Sequence, residues 1–218
     1  MSNRNLLKIY QASFRGNWNL PALSQYGRGP VLTYGDFAKR IAQTHIVFRE
    51  CGIQKGDKVA VMGKNTVSWI VSYMATLTYG AVVVPVLAEF NPEDATHIIN
   101  HSGSKILFVT DSIWDHMDFD AMPHVVAVFS LDDNVVLAEQ SSNKQRATKA
   151  LESMEERFRR RYPNGFRPAD IIYPELDKDS IAEINYTSGT TGFSKGVMLT
   201  LDNLGGNVCY GVDSKLHF

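Results

Sequence analysis

The chain has 218 residues, 44% of them hydrophobic and 21% charged, with a formal net charge of −1. So even a balance sets up no one-signed field for nucleic acid or an anionic membrane surface, and the length suffices for one ample hydrophobic core. The longest apolar run, Ala81 to Ala88, is interrupted by Pro85 and is far short of the roughly 20 residues a membrane-spanning helix needs.

Met1 to Trp18 places Lys8 and Arg15 among polar residues and lacks the apolar centre of an export signal. Cys51 and Cys209 stand apart, without C-x-x-C or metal-like spacing, as expected for free, buried thiols in a reducing compartment. The expectation is a cytoplasmic, soluble protein with at most peripheral membrane contact.

From residue 31 onward, strand-like and helix-like segments alternate. Thr33 and Asp36 have the spacing of a capping box, opening a helix whose apolar face includes Phe37, Ile41 and Phe48 and which Gly52 is placed to end. Lys58 to Met62 reads as a buried strand. Asn65 is the expected cap of a second helix carrying Trp69, Ile70, Tyr73, Met74 and Leu77, closed near Gly80, and Ala81 to Val86 reads as another buried strand. Asn91-Pro-Glu-Asp94 is a strong helix start, with proline in the first turn and acids at the positive end of the dipole. That helix is expected to reach about His101. Lys105 to Thr110 and Val125 to Phe129 read as two further strands.

Buried strands alternating with helices predict an α/β fold, a doubly wound, mainly parallel sheet with helices on both faces. Residues 130 to 180 break the rhythm. Asp132 to Lys144 is polar and loop-like, and Lys144 to Tyr162 reads as one charged helix with Leu151, Met154 and Phe158 as its buried stripe. Its basic residues Arg157, Arg159, Arg160 and Arg161 sit beside Glu152, Glu155 and Glu156, as on a solvated helix face.

The chemistry concentrates between Tyr186 and Thr200, which read Tyr-Thr-Ser-Gly-Thr-Thr-Gly-Phe-Ser-Lys-Gly-Val-Met-Leu-Thr. Gly189, Gly192 and Gly196 allow positive φ or close backbone approach to a ligand, and successive exposed N–H groups form anion-binding concavities. Thr187, Ser188, Thr190, Thr191 and Ser194 add hydroxyl donors, and Lys195 adds a compact charge suited to phosphate. With strand-like residues on both sides, the segment predicts a polyphosphate-binding loop at the carboxyl end of a strand. The G-x-x-x-x-G-K-[ST] pattern fails at Ser194 and Gly196, and G-x-G-x-x-G fails on spacing.

This segment resembles the signature of the adenylate-forming superfamily (acyl-CoA synthetases, amino-acid adenylation domains and firefly luciferases), approximately Tyr-Thr-Ser-Gly-(Ser/Thr)-Thr-Gly-x-Pro-Lys-Gly-Val. Every position fits except Ser194, where the family usually has proline; without the ring, φ at 194 is free. Leu32 to Phe37, Lys55 to Val61, Asn65 to Trp69, Tyr79 to Pro85, Asn91 to Asp94 and Asn100 to Lys105 look like further family landmarks in order, so the resemblance covers roughly residues 30 to 204.

The resemblance implies an ATP-dependent acid–thiol ligase: a carboxylate attacks the α-phosphorus of ATP to give an acyl-adenylate and pyrophosphate, then coenzyme A displaces AMP. It implies that Thr187, Ser188, Gly189, Thr190, Thr191, Gly192 and Lys195 hold the β- and γ-phosphates. The family's later Tyr-Gly-x-Thr-Glu element, its ribose aspartate and its C-terminal domain with the catalytic lysine have no counterpart here. Residues 1–218 are therefore expected to be a partial N-terminal domain with a variable charged insertion near 130–180, no catalytic residue of their own, and the Mg2+ ligand beyond residue 218. The insertion looks like the long-chain fatty acyl-CoA synthetase branch, making a fatty acid, ATP and coenzyme A the expected partners. The alternatives are a ligase for short-chain, aryl or amino acids, or a truncated non-catalytic nucleotide-binding module.

His97 and His101, four apart on a helix, read as structural or surface histidines rather than metal ligands, because Ile98, Ile99 and Asn100 supply no acid between them. Asp111, Asp115, Asp118 and Asp120 match no calcium loop, and Ser188 lies in no nucleophile-elbow context.

Overall fold

The computed structural model describes residues 5–143, 145–187 and 195–213. An element the sequence pattern does not announce comes first: α1 (Leu6–Gly16), capped by the Asn5 side chain on the Lys8 N–H and burying Leu6, Leu7 and Phe14. An antiparallel ribbon of β1 (Pro21–Gln25) and β2 (Arg28–Thr33) follows.

At the start of α2 (Tyr34–Glu50) the expected capping box is complete: Thr33 Oγ1 accepts from the Asp36 N–H, and Asp36 accepts from the Thr33 N–H. Past its end Gly52 adopts φ +77°, the left-handed value glycine tolerates. After β3 (Lys58–Met62) comes α3 (Val67–Tyr79), whose cap is Thr66, not Asn65: the Thr66 hydroxyl accepts from the Trp69 N–H. Gly80 ends α3 at φ +87°.

The chain continues through β4 (Val82–Val86), α4 (Pro92–Ser102), β5 (Ser104–Val109), the single-turn α5 (Asp111–Trp114) and β6 (Ala127–Ser130). Asn91 caps α4 through the Asp94 N–H, as the motif predicts.

The 130–180 region departs from expectation twice. Within the stretch read as loop lies β7 (Val136–Glu139), which turns back on β6 through Asn134 at φ +56°. The expected single helix is two, α6 (Arg146–Glu152) and α7 (Met154–Arg161), parted at Ser153. The Ser153 hydroxyl donates to the Lys149 carbonyl at 2.5 Å and accepts from Arg157 Nε, the local side-chain competition that disturbs a helix. The predicted stripe keeps its role: Phe158 is buried, and Leu151 and Met154 pack against the core.

The last elements are β8 (Ile181–Thr187), β9 (Lys195–Thr200) and α8 (Leu201–Asp213). The main sheet runs β7-β6-β5-β3-β4-β8-β9, with its five inner strands parallel and an antiparallel strand at each edge. Strand β3 shows why its sequence is apolar throughout. Val59 and Val61 join Phe48 and Leu77 on the α2–α3 side, while Ala60 and Met62 join Ala95, Ile98 and Ile99 on the α4 side.

Candidate functional site

The β8–β9 hairpin carries the predicted loop. Thr187 is the last residue of β8 and Lys195 the first of β9, and the two are cross-strand partners in register. Both side chains are exposed. Because β8 runs parallel to β4, Thr187 and Lys195 stand at the carboxyl end of the parallel strands, where open α/β sheets place ligands. Of the other predicted phosphate-holding residues, Ser188, Gly189, Thr190, Thr191 and Gly192 lie outside the described residues, as does Ser194.

Farther along the hairpin, one face of β8 meets α3. Glu183 is buried, accepts from Asn185 Nδ2 at 2.5 Å and accepts a short hydrogen bond from the Tyr73 hydroxyl. Burial and then the bond to Glu183 push the Tyr73 phenol well above its ordinary range, and burial followed by the Glu183 charge raises that of Tyr10. Neutral donors therefore satisfy this carboxylate, and it anchors the middle of β8 to the helical layer. On the other face Tyr186 is buried among the α4 contacts. At the base, the Leu201 N–H donates to the Ser180 carbonyl, and Thr200 with Asn203 makes a reciprocal cap at the start of α8.

The other constellations singled out in the sequence resolve into structure. The rings of His97 and His101 lie 5.8 Å apart, with His101 bonded to Tyr186, and no group of three or more His, Cys, Asp or Glu among the described residues could hold a metal ion. Asp111 accepts from the Ser130 hydroxyl and gives its N–H to Asp132, which orders a turn. Arg157 pairs with Glu50 and Arg160 with Glu156 across partly exposed helix faces. Cys51 is buried, and burial pushes its thiol up to about 12, whereas Cys209 is only half-buried. Among the described residues no helix is long and apolar enough to cross a membrane.

A cavity of about 370 Å³ opens at the carboxyl ends of β5 and β6, lined by Arg40, Ser72, Phe108, Ser130, Asp132 and Met154 among others. Neither Thr187 nor Lys195 lines it. Helices α6 and α7 pack on α2, with α6 also against β7. Since β7 and β9 are opposite edges of the sheet, β7 and the helix α6 packed against it lie across the sheet from the loop-bearing hairpin. What sequence reasoning missed is the support of the hairpin: Tyr73 and His101 are 110 and 85 residues from their partners, and no local signal links them.

The sequence pattern described as "AMP-binding enzyme" matches residues 11–216. A crotonobetaine/carnitine–CoA ligase of Proteus mirabilis is 28% identical over 185 residues, covering 83% of this chain and 33% of the relative. A long-chain-fatty-acid–CoA ligase of Escherichia coli O6:H1 is 27% identical, covering 94% of this chain and 38% of the relative. The chain thus spans about a third of the length of the curated relatives it matches. Among solved structures, ATP-bound MatB from Rhodopseudomonas palustris superposes with a TM-score of 0.68 at 26% identity, over 97% of this chain and 37% of that one. A long-chain-fatty-acid-CoA ligase from Archaeoglobus fulgidus shares the fold with a TM-score of 0.72 at 19% identity, over 97% of this chain and 40% of that one.

Proposed function

The chain belongs to the AMP-binding enzyme family, and from that premise we propose that it is the front part of the large N-terminal domain of an AMP-forming acid–CoA ligase, with a long-chain fatty acid as the acid. The observation that carries this reading is the hairpin: Thr187 and Lys195 face each other at the mouth of a Gly- and hydroxyl-rich segment beyond the carboxyl end of a parallel strand.

In the reaction so proposed, the acid's carboxylate attacks the α-phosphorus of ATP, and the bond to the bridging oxygen of pyrophosphate breaks. Charge accumulates on the departing pyrophosphate, so donors fixed beforehand around the β- and γ-phosphates lower the barrier. Thr187, Ser188, Thr190 and Thr191 offer hydroxyls, Gly189 and Gly192 allow backbone N–H groups to approach, and the Lys195 ammonium supplies the compensating charge. Coenzyme A then displaces AMP through its thiol. Magnesium would supply further positive charge to the phosphates in such chemistry, and among the described residues no group of three or more His, Cys, Asp or Glu could hold it.

Long-chain specificity rests on resemblance: the E. coli and Archaeoglobus relatives bear that name, whereas the Proteus relative is named for crotonobetaine and carnitine. The deciding measurement is acid-dependent ATP–pyrophosphate exchange by the full gene product, across fatty acids from short to long. Exchange is expected to peak with long chains. A peak with short, aryl or amino acids overturns the substrate, and no exchange with any acid overturns the ligase. Lys195→Ala is expected to lower exchange by about 10- to 100-fold, the range for losing one charge-assisted contact.

A further inference from the structure

The sequence attributes the glycines of the loop region to backbone freedom, but Gly196 does not take a left-handed φ. Its constraint is space. Gly196 is the register partner of Tyr186, and a Cβ there would stand 3.1 Å from Tyr186 Cζ and 3.0 Å from Ile184 Cγ2. The bare glycine lets the Tyr186 ring lie across β9, an aromatic-over-glycine pairing known to pin strand register.

The phenol then reaches the helical layer. Its oxygen is 2.7 Å from His101 Nδ1 on α4, and the two rings meet edge to face, 5.8 Å between centroids at 89°. Burial raises the Tyr186 phenol, so it keeps its proton and remains a neutral hydrogen-bonding group. Tyr186 is bonded directly to Thr187, and Gly196 directly to Lys195. This part-buried hydrogen bond between the hairpin and α4 is therefore a residue away, on each strand, from the two described members of the predicted phosphate site.

We propose that His101 is a positioning residue for the polyphosphate loop: by holding the Tyr186 hydroxyl across Gly196, it sets the orientation of Thr187 and Lys195 relative to the sheet. This rests on reading the hairpin as the polyphosphate-binding element. His101 touches no reacting atom in this scheme. Its effect is to present donors already aimed, which lowers the ordering cost of nucleotide binding.

The test compares His101→Leu, His101→Asn, Tyr186→Phe and the His101→Leu/Tyr186→Phe double variant in the full gene product. Two readouts are used: KM for ATP and kcat in pyrophosphate exchange, and amide hydrogen exchange across residues 181–200. His101→Leu and Tyr186→Phe are each expected to raise KM for ATP about fivefold with kcat within about twofold, the effect of one net hydrogen bond. The double variant should be no worse than either single one. His101→Asn, whose amide falls near the position of Nδ1, should restore the wild-type KM, a rescue that loss of packing would not produce. Amide exchange around Tyr186 and Gly196 should quicken in the Leu and Phe variants. An unchanged KM in His101→Leu, additive effects in the double variant, or failure of Asn to rescue would overturn the proposal. Should the wild-type product show no exchange with any acid, the ligase reading falls. The amide-exchange comparison then stands alone, and equal protection in His101→Leu and wild type overturns the positioning role.

Discussion

His45 shows how much a single half-buried side chain can reveal. It lies between α2 and α3, where its Nε2 is 2.9 Å from the Ala75 carbonyl and 3.2 Å from Thr78 Oγ1. Because a carbonyl can only accept, Nε2 carries the proton and donates. Burial pushes the pKa of the ring down to about 4, with Arg49 and Arg161 adding to the effect and the Ala75 bond opposing it. The folded protein therefore holds His45 neutral where the unfolded chain, with an ordinary histidine near 6.5, takes up a proton. Stability contributed by the neutral ring is complete above pH 6.5 and is lost as pH falls from there to about 4, by up to about 3 kcal/mol. The urea midpoint should drop across that window, and His45→Gln, which keeps an N–H donor and cannot titrate, should flatten the drop.

At the scale of elements, α2 joins a complete capping box to extensive packing. It packs on α1, α3, α6 and α7, so fraying at Thr33 loosens several contacts. The Asp36 carboxyl is held below its ordinary range, chiefly by hydrogen bonds from the Thr33 backbone and hydroxyl. Its contribution is present above the usual carboxylate range and fades as pH falls through the lowered value. Thr33→Ala should cost about 1 kcal/mol at neutral pH by urea unfolding, and Thr33→Ser much less, since a hydroxyl remains to cap. Helix α6 is the contrasting case. Gln145 precedes it at φ +59° without a side-chain cap, and Glu139 on β7 accepts instead from the N–H groups of Ala147 and Thr148. Such a cap is borrowed across the fold, so no local capping motif marks the start of α6, although the helix read from Lys144 begins close by, at Arg146.

For the whole molecule, the decisive fact is that the chain spans about a third of its relatives' length. Two functions that the proposed reaction also requires, holding the acid and binding magnesium, have no assigned residue in it. This chain alone should therefore form no acyl-adenylate from fatty acid and labelled ATP, even where the full gene product does. Label appearing in an acid-dependent adenylate would overturn the division of labour proposed for residues 1–218.

What the sequence determined by itself was local. The Thr33–Asp36 capping box, proline at a helix start, left-handed glycines at Gly52 and Gly80, and strands apolar on both faces depend on a few neighbouring residues and are found in the fold, although the cap of α3 is Thr66 rather than Asn65. The Tyr186 to Val197 signature pointed to the family for the same reason, since its donors are contiguous. Where they stand was decided only by tertiary structure. Strand order and the placement of β7 at the sheet edge opposite β9 are long-range features, and the grip of Tyr73 and His101 on β8 joins residues 110 and 85 positions apart. Long-range pairs of this kind follow from the register of a twisted sheet and leave no periodic trace in the chain.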